Sequence, residues 1–495
     1  MYRNRSAKFR TESLILWTIT SSVFFILVVT PLLQDGMFVD GVVSSSVARN
    51  LAIGHGSFWS PVYLGDISGG PVFNDQLPLT FGIQSFFFRV FGDHLFVERM
   101  YSFLTCILSA FFIIRLWKLI YRSETGISGR AWLPLLLWII TPIVAWSFHN
   151  NMLENTVAVF DIAAIYFLFR GLETGRKILL QITVAGVLTT AAFLSKGPVG
   201  LFPLGAIVIY QICFRKFTGR KTFYYSLILW MVPTFISVLL FYVNGEAFHF
   251  VRQYFDQQVL RSIEGHRESV QSRFFILIRL CTELIPIAIL LITIRCISIY
   301  KKMKAEQVPR RLRTSTFFFV IALSGALPIC ISLKQSGYYL VPSLAFFAMA
   351  SGILIAGDIQ ALIKKLNLNS KSPSSAVVLL ISLLAVTIFV GIGILEKPGR
   401  YSAGLQDVYS IGKMIPANSV VSICAEQGDD WGFFSYLMRY DLITVDSKVP
   451  HDYLILKKNN CRELISNFSK IEAHTILYEV YKRKSDSVIF NSQGK

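Results

Sequence analysis

The chain has 495 residues, 53% of them hydrophobic and 16% charged, with a formal net charge of +18 and a mean hydropathy of +0.54. A soluble protein of this length cannot hide so much apolar surface, so composition excludes a soluble globular class. The basic residues fall in clusters between long apolar runs rather than along one polar face, which argues against nucleic acid as a partner and for membrane topology.

A helix crossing a hydrocarbon core of about 30 Å needs about 20 mostly apolar residues. In chain order, such runs lie near Leu14 to Leu33, Leu95 to Tyr121, Ala131 to Phe148, Thr156 to Phe169, Ile178 to Leu194 and Val199 to Phe214. They continue near Phe223 to Val243, Phe274 to Ile299, Ser315 to Leu333, Tyr338 to Ile355 and Ala376 to Leu395. The expected fold is therefore a mainly α, polytopic membrane protein of about eleven spans. Short cytoplasmic loops carry excess Lys and Arg. With the N-terminus (Arg3, Arg5, Lys8, Arg10) cytoplasmic, the basic connections Arg115 to Arg130, Arg170 to Lys177, Arg215 to Lys221, Lys301 to Arg313 and Lys364 to Lys371 all fall on that side. The first run could also be read as a signal peptide, but it has the length of a full span and precedes QDGMFVD rather than a small-x-small cleavage site.

Three features are then expected outside the cytoplasm: a first loop over 34–94, a second loop from Asn244 to Arg273, and the segment after Glu396. Within the first loop, Phe38 to Ile53 and Leu77 to Phe91 carry apolar residues at helical spacing and read as amphipathic helices lying along the membrane surface. After Pro398 the short apolar stretches SVVSIC, LITVD, YLIL and TILYEVY alternate with polar segments, as in a small α/β domain. The expected division is 1–396 as the transmembrane domain and 397–495 as an extracytoplasmic α/β domain. Cys424 and Cys461 both fall in the latter, and a disulfide between them is the hypothesis for an oxidising compartment. The sequence holds no Gly-rich phosphate loop, no zinc-spaced Cys/His cluster and no clear soluble repeat, which argues against a nucleotide-driven pump.

Charges at span ends are costly unless paired, solvated or used. Asp35 reads as solvated or as a helix cap, whereas Asp40 in MFVDGVV sits in an apolar context where burial would raise its basicity. Asp75 in FNDQLPL reads equally as an N-cap for the helix near Leu77. Glu98 and Arg99 open the second span, where a local ion pair is the plain reading, and Glu154 in HNNMLENT reads as a cap in a short outer turn. Lys196, Arg261 and Lys334 stand outside against the positive-inside trend. One outer lysine usually snorkels to solvent. Three cations at the same depth as several carboxylates instead suit a phosphate headgroup on a long apolar tail.

At these residues the sequence resembles the GT-C superfamily of glycosyltransferases, in the branch of protein O-mannosyltransferases and lipid A aminoarabinose transferases. The resemblance covers about the first 355 residues, through SLKQSGYYLVPSLAFFAMA. DGVVSSSVARNLAIGHG looks like the family's acidic motif, which places its catalytic Asp at Asp40. NDQLPLTFGIQSFFFRVFG is similar to the acidic-Lys-Pro-Pro stretch, whose acid matches Asp75 and is metal-linked in some members. NMLENT and LSKGPVGL put Glu154 and Lys196 at positions near the donor phosphate, and QYFDQQVLRS puts Arg261 at the Arg of the family's Glu-His-x-x-Arg. The sequence departs from the pattern at Gly41, where a second acid is common, at Gln76 in place of Lys and at Gln258 in place of His. His249 and His266 are nearby histidines, each reading as a solvated loop residue.

The resemblance implies transfer of one sugar from a polyprenyl-phosphate donor to a lipid, protein or glycan acceptor on the outer face, with inversion. It assigns catalysis to Asp40, Asp75 and Glu154. Donor phosphate binding falls to Lys196, Arg261, Lys334 and Arg99, with a divalent metal at Asp75 as a further expectation. The location implied is a bacterial inner or plasma membrane, with the N-terminus cytoplasmic and the C-terminal domain outside. The rival reading is a transporter or flippase of lipid-linked precursors, which would show broken helices near the bilayer midplane.

Overall fold

In the computed structural model the residues described are 2–63, 72–265, 271–303, 309–366, 373–395, 399–428 and 430–484. By contact they form two compact units. The first comprises Met1–Leu33, Asn74–Thr80 and Arg99–Lys397, and the second Gln34–Phe73, Phe81–Glu98 and Pro398–Lys495. Most of the first outer loop therefore clusters with the C-terminal segment, while Asn74–Thr80 and the second outer loop cluster with the spans.

Unit 1 is helical. Among the described residues, 8 helices are long and apolar enough to cross a membrane, or up to 9 when the bent pair Gly126–Ile139 and Pro142–His149 counts as one span. The count does not reach the expected eleven. One reason is that Ile178–Phe214 is a single apolar stretch of 37 residues where the sequence suggested two spans. That stretch runs out and back. Leu153–Thr174 ends at the left-handed Gly175, and Ile178–Lys196 starts three residues later at the same end. At the other end of the stretch, Lys216 Nζ donates to Leu172 O at 2.6 Å, so the chain has returned to where Ile178 began. The reversal is at Gly197 (φ 77°). Beyond it a 3₁₀ turn folds back so closely that a Cβ on Gly200 would lie 2.7 Å from Ala192. The Gly219–Val243 helix leaves Phe223 70% and Tyr242 88% exposed. Large apolar surface left open along a whole helix belongs against hydrocarbon.

The run expected as one span over Ala131 to Phe148 is broken by 82° between Ile139 and Pro142. A break inside a bundle leaves orphan N–H groups that need a partner. Here the buried Glu283 carboxylate accepts the Ile143 N–H at 2.7 Å and is held in turn by Arg279 at 2.7 Å. Contacts also gather the basic connections at one end of unit 1. Arg310 reaches Glu173 at 2.7 Å, Arg311 reaches Glu124 at 2.5 Å, and Lys365 Nζ donates to Lys301 O at 2.7 Å.

Unit 2 holds a five-stranded sheet. Val420–Ile423 pairs in parallel with Thr444–Asp446 on one side and Tyr453–Lys457 on the other, and the sheet continues antiparallel through Tyr478–Arg483 to Phe468–Ile471. Helices Ser402–Gly412 and Trp431–Asp441 cover it, contributing Leu405, Val408, Phe433 and Leu437 to its core. Cys424 and Cys461 form a disulfide with Cα atoms 6.3 Å apart.

The first outer-loop helix, Val39–Ala52, differs from expectation. It is not a surface helix, since Gly41, Val42 and every residue from Ser44 to Leu51 are buried. Arg49 explains how its polar face is tolerated. It is 0% exposed, yet donates to Asp93 at 3.1 Å and to Met438 O at 2.7 Å. Arg439 closes the network with Asp93 at 2.7 Å and Glu98 at 2.8 Å. Burial pulls the Arg439 guanidinium down, but Glu98 and Asp93 outweigh it and hold it above its ordinary range. By contrast Leu79–Phe91 buries Phe81 and Phe88 and leaves Phe86, Val90 and Phe91 exposed, so apolar side chains stand on both of its faces.

Candidate functional site

At the end of unit 1 opposite the basic connections lies a cavity of about 460 Å³. Its polar lining is Asp75, Gln76, Lys196, Gln258, Ser262, Ser324, Ser332 and Lys334, and much of the rest is apolar, including Val199, Leu201, Phe202, Ile329 and Ile331. Two ammonium groups above an apolar wall match an anionic head on a hydrocarbon tail.

Lys196 is placed by the reversal described above. It is the last residue of Ile178–Lys196, and the Gly197 conformation turns the chain away immediately after it. Tyr254 fixes this turn by donating its hydroxyl to Lys196 O at 3.3 Å. The Lys196 ammonium meets Glu154 Oε1 at 2.5 Å, with the two side chains 8% and 0% exposed. It also lies 5.4 Å from the Tyr338 ring centre and 4.9 Å from that of Tyr339, so cation–π attraction adds to the ion pair. Glu154 does not line the cavity. It stands in the first turn of Leu153–Thr174, fully buried, behind Lys196. The reading of Glu154 as a plain turn cap is therefore superseded by a buried ion pair.

Asp75 is exposed and accepts a hydrogen bond from Gln258 Nε2 at 2.5 Å, while Asn74 donates to Gln257 Oε1 at 2.8 Å. Two neighbouring side chains thus tie the Asn74–Gln76 segment to the Phe255–Leu260 turn. Among the described residues Asp75 is the one carboxylate lining the cavity, so the protein would supply a single carboxylate ligand to any divalent ion there. His249 is exposed on the Gly245–Tyr254 helix, and His266 lies outside the described residues. The one group of His, Cys, Asp or Glu close enough to hold an ion among the described residues is Cys424, Glu426 and Cys461, whose cysteines are bonded to each other.

Three further candidates have the following surroundings. Arg261 is exposed and does not line the cavity, although Gln258, Val259, Ser262 and Ile263 do. Those four share a helical face from which position 261 is turned away. Arg99 donates to Leu32 O at 2.6 Å and is also absent from the lining. Asp40 is exposed in the first turn of Val39–Ala52, so the burial expected from its apolar context is not found. Tyr254, Tyr338 and Tyr339 were not singled out in the sequence; the pair in SGYYL, just after Lys334, was the available signal.

The family described as dolichyl-phosphate-mannose-protein mannosyltransferase matches residues 75–241. No curated protein sequence matches significantly. Among solved structures, ArnT from Cupriavidus metallidurans bound to undecaprenyl phosphate superposes with a TM-score of 0.63 at 13% identity, over 97% of this chain and 98% of that one. The same protein in the apo state gives 0.63 at 14% identity over 94% and 97%. The oligosaccharyltransferase of Archaeoglobus fulgidus gives 0.52 at 11% identity, over 88% of this chain and 64% of that one. The motif resemblance and these structural likenesses agree, and the protein is an integral membrane protein with the GT-C fold.

Proposed function

We propose that this protein is a glycosyltransferase that moves one sugar from a polyprenyl-phosphate donor to an acceptor on the non-cytoplasmic side of the membrane. The observation that carries the reading is the cavity in which Lys196 and Lys334 stand over an apolar wall, in a fold shared with a protein solved with undecaprenyl phosphate. In this reading the donor phosphate sits against Lys196 and Lys334, and its tail follows the wall formed by Leu201, Phe202 and Ile329. Glu154 and the tyrosine pair fix the Lys196 side chain in one position, so that the donor phosphate meets a cation that is already ordered.

The reaction needs a base and a stabilised leaving group. Asp40, matched to the family's catalytic acid, takes the proton of the acceptor hydroxyl as its oxygen bonds to the anomeric carbon. The bond from that carbon to the phosphate oxygen breaks on the opposite face, giving inversion. The departing phosphate monoester carries the developing charge to the lysines. The energy is already in the glycosyl-phosphate bond, so no nucleotide is consumed. The N-terminus and the basic connections are placed in the cytoplasm by their charge.

Purified protein given a labelled polyprenyl-phosphate sugar and extracted outer-envelope lipids and glycans tests this. Asp40→Asn is expected to lower transfer by about 10²- to 10⁴-fold while leaving polyprenyl-phosphate binding intact. Full transfer by the variant removes Asp40 as base. Translocation of the donor across vesicles without any glycosylated product would instead establish a transporter, a reading to which the broken 126–149 helix pair lends its one structural support.

A further inference from the structure

Unit 1 has a second cavity, of about 510 Å³, among the basic connections at the end opposite Lys196. Four cations, Arg122, Lys216, Arg310 and Arg313, share it with one carboxylate, Glu173. That carboxylate is already used: Tyr210 donates to Oε1 at 2.9 Å and Arg310 to Oε2 at 2.7 Å. Arg311 next door is committed to Glu124. Among the described residues Arg122 and Arg313 have no carboxylate partner, and Lys216 is held by the carbonyls of Leu172 and Glu173 at 2.6 and 3.0 Å. Like charges collected in one concavity repel unless an anion joins them.

The surroundings say which anion. The cavity lies at the ends of membrane-crossing helices, on the face where the positive-inside bias puts the anionic cytoplasmic leaflet. Phe214 and Pro309 give its wall an apolar flank beside the cations. A soluble anion would gain nothing from this apolar flank, whereas an acyl chain would bury it. We propose that this cavity binds the headgroup phosphate of an anionic glycerophospholipid, with Arg122 and Arg313 as its principal ligands and an acyl chain along Phe214. The proposal is independent of the transferase reading.

Native mass spectrometry of the full chain in detergent, supplied with phosphatidylglycerol or phosphatidylethanolamine, tests it. The wild type is expected to retain phosphatidylglycerol in preference to phosphatidylethanolamine. Arg122→Gln/Arg313→Gln should weaken that retention by at least about tenfold, as loss of charge-assisted contacts predicts. Arg220→Gln/Lys221→Gln, which removes two exposed charges from the same end of the bundle, should leave it unchanged. Equal loss in both double variants would mean diffuse attraction to the basic face and would overturn the proposal. So would retention of inorganic phosphate by the wild type without any lipid, which would make this a soluble-anion site. Photocrosslinking of wild-type protein with a tail-labelled phosphatidylglycerol does not depend on how the variants fold. It should mark peptides around Phe214 and Pro309, and marking only elsewhere would refute the assignment.

Discussion

Replacing Lys196 with Met separates what that residue does for the fold from what it does for the donor. Its ammonium and Glu154 Oε1 are 2.5 Å apart, and Glu154 is 0% exposed. At an effective permittivity of about 20 their attraction is about 7 kcal/mol before desolvation. Removing one partner of such a pair typically costs about 3–5 kcal/mol, because the remaining buried charge loses its compensating ammonium. Lys196→Met should therefore unfold at a visibly lower temperature by intrinsic tryptophan fluorescence in detergent. It should also bind polyprenyl phosphate about 10- to 150-fold more weakly, the worth of one charge-assisted hydrogen bond of about 1.5–3 kcal/mol. Adding Glu154→Gln neutralises the stranded carboxylate, so the double variant should recover much of the stability and none of the affinity. If affinity returns together with stability, Lys196 acts only through the fold and the phosphate role is refuted. Unchanged affinity in Lys196→Met alone would refute it as well.

Other residues make separate claims. Gly197→Ala, forced to φ 77° with its Cβ 2.5 Å from Tyr254 Oη, should cost about 1–3 kcal/mol and weaken polyprenyl-phosphate binding by displacing Lys196; wild-type behaviour in both assays would count against the turn as the device that places it. Arg439→Met strands Glu98, which is 1% exposed, and should lower the stability of unit 2 by about 3–5 kcal/mol, with partial recovery on adding Glu98→Gln; limited proteolysis of the C-terminal segment reads this out. Burial raises the Asp441 carboxyl to about 6. The unfolded chain releases this proton near pH 4 and the folded chain only near pH 6, so stability falls as pH rises through that window and stays lower above it. Asp441→Asn should then gain about 1–2 kcal/mol near pH 8 and nothing near pH 4, as unfolding temperatures measured at both pH values will show.

The spans and the gathering of basic loops were legible because hydropathy and charge are local properties. Lys196 and Lys334 were legible for the same reason, as cations at the end of the bundle where the charge pattern did not expect them. The motif gave Arg261 a position along the chain but not the face of the turn, and that face is turned away from the cavity lined by Gln258 and Ser262. The tyrosines that flank Lys196 had no contrast in a chain with 41 Phe and 20 Tyr. The break before Pro142 was hidden by uniform hydropathy, since its orphan N–H is satisfied by Glu283, distant in sequence. Helix Val39–Ala52 read as a surface helix because the partner that buries its Arg49, the Trp431–Asp441 helix, comes from the other end of the chain. Four of the five strands were visible as alternating apolar stretches. The fifth, Phe468–Ile471, has two exposed residues at its centre and only one fully buried, too weak a pattern to stand out.

The partnership of the Val39–Ala52 and Trp431–Asp441 helices has a consequence for how the protein is made. Met37 and Val42 belong to the same apolar core as Phe433, Leu437 and Ile455, and the Tyr436 hydroxyl bridges to Met37 O at 2.7 Å. A ribosome delivers the first of these segments before any of Arg99–Lys397 and the second after all of it. Throughout that interval the early segment must wait with the apolar face that meets Phe433 and Leu437 uncovered and with Arg49, already within reach of Asp93, still lacking the Met438 carbonyl. Quality control during synthesis thus has a single late event to monitor, the arrival of the last hundred or so residues. Premature stop codons ahead of Trp431 would be expected to yield chains with their helices inserted and Val39–Ala52 left open to proteases.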